Sequence, residues 1–471
     1  MATPRRDDDL PIAALLAPDI LALLDEAPAD VAVETEEMHP ADLADVAAAI
    51  PRERVADFLL ALGTDRAADV LEYLDEELRT EALETMSARQ AAQLVTAMTP
   101  DDRADVLEEL EEDVADEILS AIPAEQRRET ERLLAYEPDT AGGLMTTEFV
   151  SVPQAQRVEE ALASVRQMAR SGRREAMYTI YATDEQGRVT GVLSLRELLA
   201  AAEGTTVGEI AWSEVVTVPA TTDRAAIAQA TAKYDLVAVP VVDDAQRLLG
   251  VVTVDDVIDI IQEQQTEDVQ RLGGMEALDD PYMQTGFFTL LRKRAGWLTV
   301  LFVGEMFTAV AMGNFEHEIA RAAVLALFIP LIIASGGNSG SQATSLLIRA
   351  IALREVRLRD WWKVAMRELP SGLLLGTLLG LLGLARVVGW QWLGLYDHGP
   401  HYVAIGLTVM FSLIGVVTFG TIVGAMLPFV LKRFGLDPAS ASAPLVATLV
   451  DVTGLLIYFS LAVLLLRGTL L

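Results

Sequence analysis

The 471-residue chain has no cysteine and only four histidines. Without a thiol there is no disulfide framework, no thiolate nucleophile and no thiolate metal site. No glycine-rich phosphate loop and no Ser/His/Asp set stands out either, so enzyme chemistry is not expected. The opening residues, MATPRRDDDL, lack the apolar core of a signal peptide, and the expectation is that the front half stays in the cytosol. Basic charge is scarce in that half. Residues 286–471 hold 14 Lys and Arg against 9 Asp and Glu, a net of +5, which leaves 22 basic and 60 acidic residues before them, a net of −38. That balance excludes a nucleic-acid binder, because phosphate contacts need Lys and Arg. Dense carboxylates suit hard divalent cations such as Mg²⁺ or Ca²⁺, which take oxygen ligands. An acidic surface kept for solubility is the bland alternative.

Long apolar runs are plentiful at the other end. Ala443–Leu466 is 24 residues of apolar text, enough to cross a hydrocarbon core of about 30 Å as a helix. One carboxylate, Asp451, sits inside it. An ionised acid there costs about 2.5–3.5 kcal/mol on insertion scales, so it normally faces a watery path or a partner. With Thr448, Thr453 and Gly454 nearby, Asp451 is a candidate cation site; a structural Asp bonded to another helix is the alternative. Four further spans are expected, near Arg292–Met312, Ala322–Leu347, Val364–Val388 and Val403–Leu431. With the N-terminus inside, 11 basic flanking residues lie on the cytoplasmic side against 3 outside, as the positive-inside rule requires. Trp390, Trp392, Tyr396 and Tyr402 then form an outer aromatic belt. The expectation is a multi-pass protein of the cell membrane with its C-terminus outside.

Span two carries Gly336-Gly337-Asn338-Ser339-Gly340-Ser341-Gln342. Such a stretch reads as an interruption whose backbone is irregular or closely approached, tolerated at membrane depth only where protein or water satisfies it. Gly337 and Asn338 therefore join Asp451 and Thr448 as candidate pore residues, while helix packing through small residues is the competing account. Glu305 in span one is a second buried acid, either channel wall or structural group. Gly420, Gly424 and Pro428 read as packing and a kink.

The front half has two repeats. Residues 1–35 read as a loosely ordered N-terminus with a short helical pattern near Ile12–Leu24, and 36–135 as an acidic helical domain. There Ala68-Asp69-Val70-Leu71-Glu72 returns as Ala104-Asp105-Val106-Leu107-Glu108, 36 residues on, a period that points to an α-solenoid of stacked helix pairs. Residues 136–206 and 207–262 form the second repeat. Gly187–Ser194 answers Gln246–Thr253, and each copy runs helix, strand, turn, strand, helix. Residues 263–285 form a connecting helix. Along Asp255–Asp280, Asp256, Asp259, Glu263 and Glu267 step by three or four onto one stripe. Like charges at that spacing repel by a few tenths of a kcal/mol per pair, so the helix wants a counter-ion. Asp268 and, on the solenoid, Asp105 complete the candidate sensor set.

The tandem repeat resembles a pair of CBS domains. In nucleotide-binding members a strand-ending Gly-x-x-Ser/Thr-x-x-Asp holds ATP; Gly250, Thr253 and Asp256 match it, and Gly191, Ser194 and Glu197 match with Glu for Asp. Nearly the whole chain resembles the MgtE family of magnesium channels. The resemblance rests on Pro330 followed by GGNSGSQ, on Asp437-Pro438-Ala439, on Ala447-Thr448-x-x-Asp451-x-x-Gly454 and on the linker Tyr136–Met145, YEPDTAGGLM. It implies a homodimer with the pore on its two-fold axis, the Asp451 pair as ion site and a "plug" helix that closes the pore when cytosolic Mg²⁺ binds between acidic domains. Mg²⁺ is then both substrate and regulator, with ATP a second possible regulator. Gln264 and Gln265 depart from the expected run of acids. An ion-coupled transporter or an exporter of Mn²⁺ or Co²⁺ stays open as the alternative.

Overall fold

Prolines and short apolar repeats cut the front of the chain into brief helices. The computed structural model describes residues 12–170, 176–278, 282, 283 and 285–470, and the chain divides into two compact units, Met1–Gln262 and Glu263–Leu471. The first unit begins with α1 (Ile12–Glu26), α2 (Pro28–Glu34), α3 (Pro40–Ala49), α4 (Val55–Leu62), α5 (Thr64–Glu72), α6 (Glu76–Thr85), α7 (Ala88–Ala97), α8 (Pro100–Glu109), α9 (Glu112–Ala121) and α10 (Ala124–Leu133). Proline opens α2, α3 and α8, the one helical position where its missing N–H costs nothing. Each helix packs on its second neighbour, giving an odd row from α1 to α9 and an even row from α2 to α10. From Thr64 to Ala124 six helices start at every twelfth residue. The 36-residue echo is therefore three helices of a solenoid, not the expected helix pair.

The segment 1–35 is not loosely ordered from residue 12 onward. Ala13, Ala17, Ile20 and Leu24 repeat at four- and three-residue steps, and with Val31 they are buried in the same core as Leu43, Phe58 and Leu59. Residues 1–11 lie outside the described residues.

The tandem repeat gives two small sheets. The first combines β1 (Phe149–Pro153), β2 (Ala176–Thr183) and β3 (Val189–Ser194), the second β4 (Val218–Pro219), β5 (Ala238–Val242) and β6 (Leu248–Thr253). In each, the first strand runs parallel and the third antiparallel to the middle one. The helices are α11 (Val158–Arg170), α12 (Leu195–Ala200), α13 (Val207–Ile210), α14 (Arg224–Tyr234) and α15 (Val254–Leu272). The two hairpins meet head to head, where Val189 N–H donates to Gln246 O at 3.1 Å. The linker YEPDTAGG folds back onto the second sheet: Gly142 N–H donates to Ala220 O at 2.8 Å. A Cβ on Gly142 would stand 2.5 Å from the Tyr136 ring, and one on Gly143 2.6 Å from Glu137 O. Only glycine permits that turn. Ala141 and Met145 then share a core with Ala104 and Leu133 of the solenoid and Val218, Val239 and Val252 of the second sheet.

α15 begins inside the expected second CBS repeat and stops at Leu272, where Gly274 adopts φ +75°. The connecting helix is thus displaced toward the N-terminus of the expected 263–285; residues 279–281 and 284 lie outside the described residues.

The second unit contains α16 (Phe287–Gly313), α17 (Glu316–Arg321), α18 (Ile329–Ala352), α19 (Trp361–Trp392), α20 (Tyr402–Arg433) and α21 (Ala443–Leu466). Five of its helices are long and apolar enough to cross a membrane, which makes this a multi-pass membrane protein. α20 is central, packing on α18, α19 and α21. A stripe of Gly372, Gly376 and Gly380 on α19 lies against α20 backbone, where an added Cβ would come within 2.8–2.9 Å of it. α16 leans on α21 and is mostly exposed, with 6% of its most apolar stretch buried.

Candidate ion pathway and acid cluster

The GGNSGSQ stretch is continuous α-helix within α18, so no break in the backbone exposes carbonyls there. Its residues divide between two faces. Gly336 and Gly340 pack on α20, where a Cβ on Gly420 would lie 2.4 Å from Gly336 O and one on Gly424 2.1 Å from Gly340 O. Small residues four apart on both helices allow that crossing. Ser339 and Thr421 hydroxyls bond at 2.6 Å, and Thr344 Oγ1 donates to Gly424 O at 2.8 Å. On this face the expected irregular pore loop is replaced by helix packing. On the other face Asn338, Gln342 and Ser345 are exposed. Gly337 is buried against α21, where an added Cβ would stand 3.6 Å from Ala447 Cβ.

Asp451 is half-buried on α21, one turn beyond Ala447 and Thr448. Thr448 Oγ1 donates to Pro444 O at 3.0 Å, and its methyl fills the space left by Gly304 of α16. That contact brings Glu305 to α21, where its carboxyl lies beside that of Asp451. The two acids of the apolar half thus face each other, Asp451 half-buried and Glu305 exposed rather than buried as expected. Sequence alone left Glu305 undecided, and nothing in its spacing to Asp451 marks the pairing.

Below the expected spans, α15 is tied to the loop that leads into α21. Arg271 pairs with both Glu267 and Asp437. Asp437 also caps the turn 438–440, accepting from Ala439 N–H at 2.9 Å. Burial, with Asp437 and Glu267 beside it, raises the Asp268 carboxyl above its ordinary pKa. Lys293 Nζ donates to Ala277 O at 2.6 Å, and Trp297 Nε1 to Ser442 Oγ at 3.2 Å.

In the first unit, the start of α8 meets the start of α15. Asp101 and Asp102 come from α8's first turn, Asp105 from its second, Glu72 from the end of α5, and Asp255 and Asp256 from α15's first turn. Asp101 is 6% exposed, and its Oδ1 has no partner among the described residues. Thr99 Oγ1 donates to Asp102 at 2.6 Å and Thr253 Oγ1 to Asp256 at 2.8 Å. Burial first, then neighbouring acids, pushes Asp101, Asp105 and Glu72 up to about 7. Asp256 is raised by burial and then by Asp101, and Asp259 by burial and then by Asp255. Crowded carboxylates without matching cations have this signature.

Of the six expected sensor acids, Asp105, Asp256 and Asp259 fall on this cluster, while Glu263, Glu267 and Asp268 lie further along α15. Asp101, Asp102, Asp255 and Glu72 were not singled out; the acids directly after Thr99-Pro100, at a helix start, were the available signal. Thr253 and Asp256, the expected ATP contacts, bond each other. Among the described residues no three of His, Cys, Asp and Glu converge as ligands of one bare ion. The acids suit a hydrated cation, and Mg²⁺ is the divalent ion that most often keeps its waters.

Comparison with known proteins gives a consistent result. The divalent cation transporter model MgtE matches residues 329–461, the MgtE intracellular N domain residues 38–139, and the CBS domain residues 141–204 and 207–263. The magnesium transporter MgtE of Thermus thermophilus is 44% identical over 342 residues, 73% of each chain. That of Enterococcus faecalis is 34% identical over 347 residues, again 73% of each. A solved cytosolic domain of the Mg²⁺ channel MgtE in complex with ATP is 37% identical, covers 52% of this chain and 99% of its own, and has a TM-score of 0.49. The chain belongs to the MgtE family of magnesium transporters.

Proposed function

We propose that the chain is a Mg²⁺-selective channel for passive uptake, closed by cytosolic Mg²⁺ acting on the acidic surfaces of the solenoid, the CBS pair and α15. The observation that carries the reading is the acid cluster at the start of α8 and α15. It crowds carboxylates together, from the buried Asp101 through the half-buried Asp102 and Asp256 to the exposed Asp105 and Glu72, and such a group gains most from a divalent cation. Mg²⁺ binds the closed arrangement better than the open one, and that difference alone shifts the equilibrium. Moving from mostly open to mostly closed takes about 5.5 kcal/mol of differential binding. Several ions acting together supply it, so closure is steep in Mg²⁺.

The pore is formed at Asp451, with Glu305 beside it and Gly337, Asn338 and Thr448 lining the approach. The reading makes the protein a homodimer, because Asn338 and Gln342 are polar, exposed and at membrane depth, where such groups need protein or water. The N-terminus lies in the cytosol and the C-terminus outside. ATP acts as a second regulator through Thr253 and Asp256, at the corner where the acid cluster begins.

Flux into Mg²⁺-free liposomes tests the reading. Asp451→Ala is expected to reduce Mg²⁺ flux to background while the protein stays folded. Asp105→Asn with Asp256→Asn is expected to keep the wild-type pore conducting at Mg²⁺ levels that close the parent. Wild-type flux in the first variant removes the pore site, and unchanged closure in the second removes the sensor. Uptake that stops when an opposing proton or sodium gradient is collapsed favours the ion-coupled transporter instead, and Mn²⁺ or Co²⁺ flux exceeding that of Mg²⁺ favours the other substrates.

A further inference from the structure

A cavity unconnected with Asp451 opens where the turn 358–360 enters α19 and where α20 ends. Its volume is about 340 Å³, and Leu358, Trp361, Met426, Phe429, Val430 and Arg433 line it. Small-molecule sites span about 300–1,000 Å³ and are mostly apolar with a few placed polar groups. This one has five apolar or aromatic walls and a single cation. Phe429 closes the floor at 6% exposed, while Trp361 at 50% and Val430 at 46% form the open mouth. The Arg433 guanidinium is exposed and has no acidic partner among the described residues.

The surroundings select the occupant. Residues 349–367 together with 432–433 contain eight basic and two acidic side chains. One of those acids, Asp360, is already held by Lys363 at 2.9 Å. Two adjacent tryptophans, Trp361 and Trp362, begin α19, and Trp at a span's end marks headgroup level. The cavity therefore has its apolar floor toward the hydrocarbon and its cation at the depth of lipid phosphates. Basic pockets between membrane helices on the basic side of a protein are where anionic headgroups bind.

We propose that this cavity binds an anionic glycerophospholipid, with one acyl chain against Phe429 and Trp361 and the phosphate at Arg433. A zwitterionic lipid would bring its ammonium to a surface already rich in cations, and a free phosphate would leave the apolar cleft unfilled.

Thermal unfolding of the detergent-purified full chain, titrated with dioleoyl phosphatidylglycerol, dioleoyl phosphatidylcholine or inorganic phosphate, tests the site; native mass spectrometry counts bound lipid and protomers. Phosphatidylglycerol should raise the Tm saturably at roughly tenfold lower concentration than phosphatidylcholine, about the worth of one charge-assisted contact. Phosphate should have no effect. Arg433→Gln should abolish the difference between the two lipids, and Val430→Trp, at an exposed position, should weaken both by blocking the mouth. Equal responses to the two lipids in the parent, or an unchanged preference in Arg433→Gln, overturns the proposal. So does a shift produced by phosphate alone, which makes this a simple anion site. A change of protomer number in Val430→Trp also overturns it, because a second copy then covers the cavity.

Discussion

Asp451 and Glu305 illustrate how a residue's meaning changes with its neighbour. Each alone is an awkward acid in an apolar helix; together they present up to two negative charges to one point beside α16. Glu305→Gln keeps the shape and removes one charge. It is expected to lower Mg²⁺ flux roughly tenfold, the equivalent of about 1.4 kcal/mol of cation stabilisation, without the total loss expected of Asp451→Ala. Liposome flux measured with both variants separates the two roles, and equal loss in both would make Glu305 an obligatory ligand. Arg271 is the second informative residue, since it joins Glu267 of α15 to Asp437 ahead of α21. The pair is partly exposed, with 36% of the Arg271 side chain accessible, so its strength is held to about 0.2–1 kcal/mol. Arg271→Gln should accordingly raise the Mg²⁺ needed for half-closure by no more than about fivefold. Patch recording across a Mg²⁺ series reads that shift, and high salt should mimic the variant.

At the scale of elements, the crossing of α18 and α20 is the tightest contact in the bundle. Gly424→Ala places a methyl 2.1 Å from Gly340 O, which the helices relieve only by separating. Overpacking of this kind costs about 1–3 kcal/mol or more, and a lowered Tm in detergent with reduced flux is the expected result. An unchanged Tm would mean that the helices cross less closely. This is also where sequence reading was strongest and weakest. The fifth span and the two β-hairpins were legible, because apolar run length and a turn between apolar strands are local signals. The double role of GGNSGSQ was not. Period alone does not say which glycine faces a neighbouring helix, and that depends on α20 some 80 residues later. The acid cluster had the same obstacle. Asp101 and Asp256 are more than 150 positions apart, and only the fold-back of the YEPDTAGG linker brings α8 to the second sheet.

For the first unit as a whole, the proposed Mg²⁺ role of the cluster makes pH and Mg²⁺ interchangeable within limits. Burial raises Asp101, Asp105 and Glu72 to about 7, well above their unfolded values. A raised carboxyl contributes stability that is fully present below its unfolded pKa and lost as pH rises through its folded pKa. The apposition of α8 and α15 should therefore loosen as pH rises from about 4 to about 7 when divalent ions are absent. Limited proteolysis in chelator is expected to cut the YEPDTAGG linker faster at the higher pH, and Mg²⁺ to restore protection there while adding little at the lower. Equal protection at both values would show that the acids are not the opposing force.

The two-row stack of short helices has a further consequence, for the order in which the first unit comes apart. Helices that touch only near neighbours behave as a one-dimensional array, whose stability is a sum of local and nearest-neighbour terms. Melting in such an array starts at the end with fewest neighbours. Here that end is α1 and α2, while the acids on α5 and α8 sit toward the end anchored by Ala104 and Leu133 in the second sheet's core. Heat or a destabilising change in α1 should fray the array from its start. Hydrogen exchange should then report early opening of residues 12–34 while the Mg²⁺-dependent protection of α8 persists, so that damage at one end of the array leaves the ion response at the other intact.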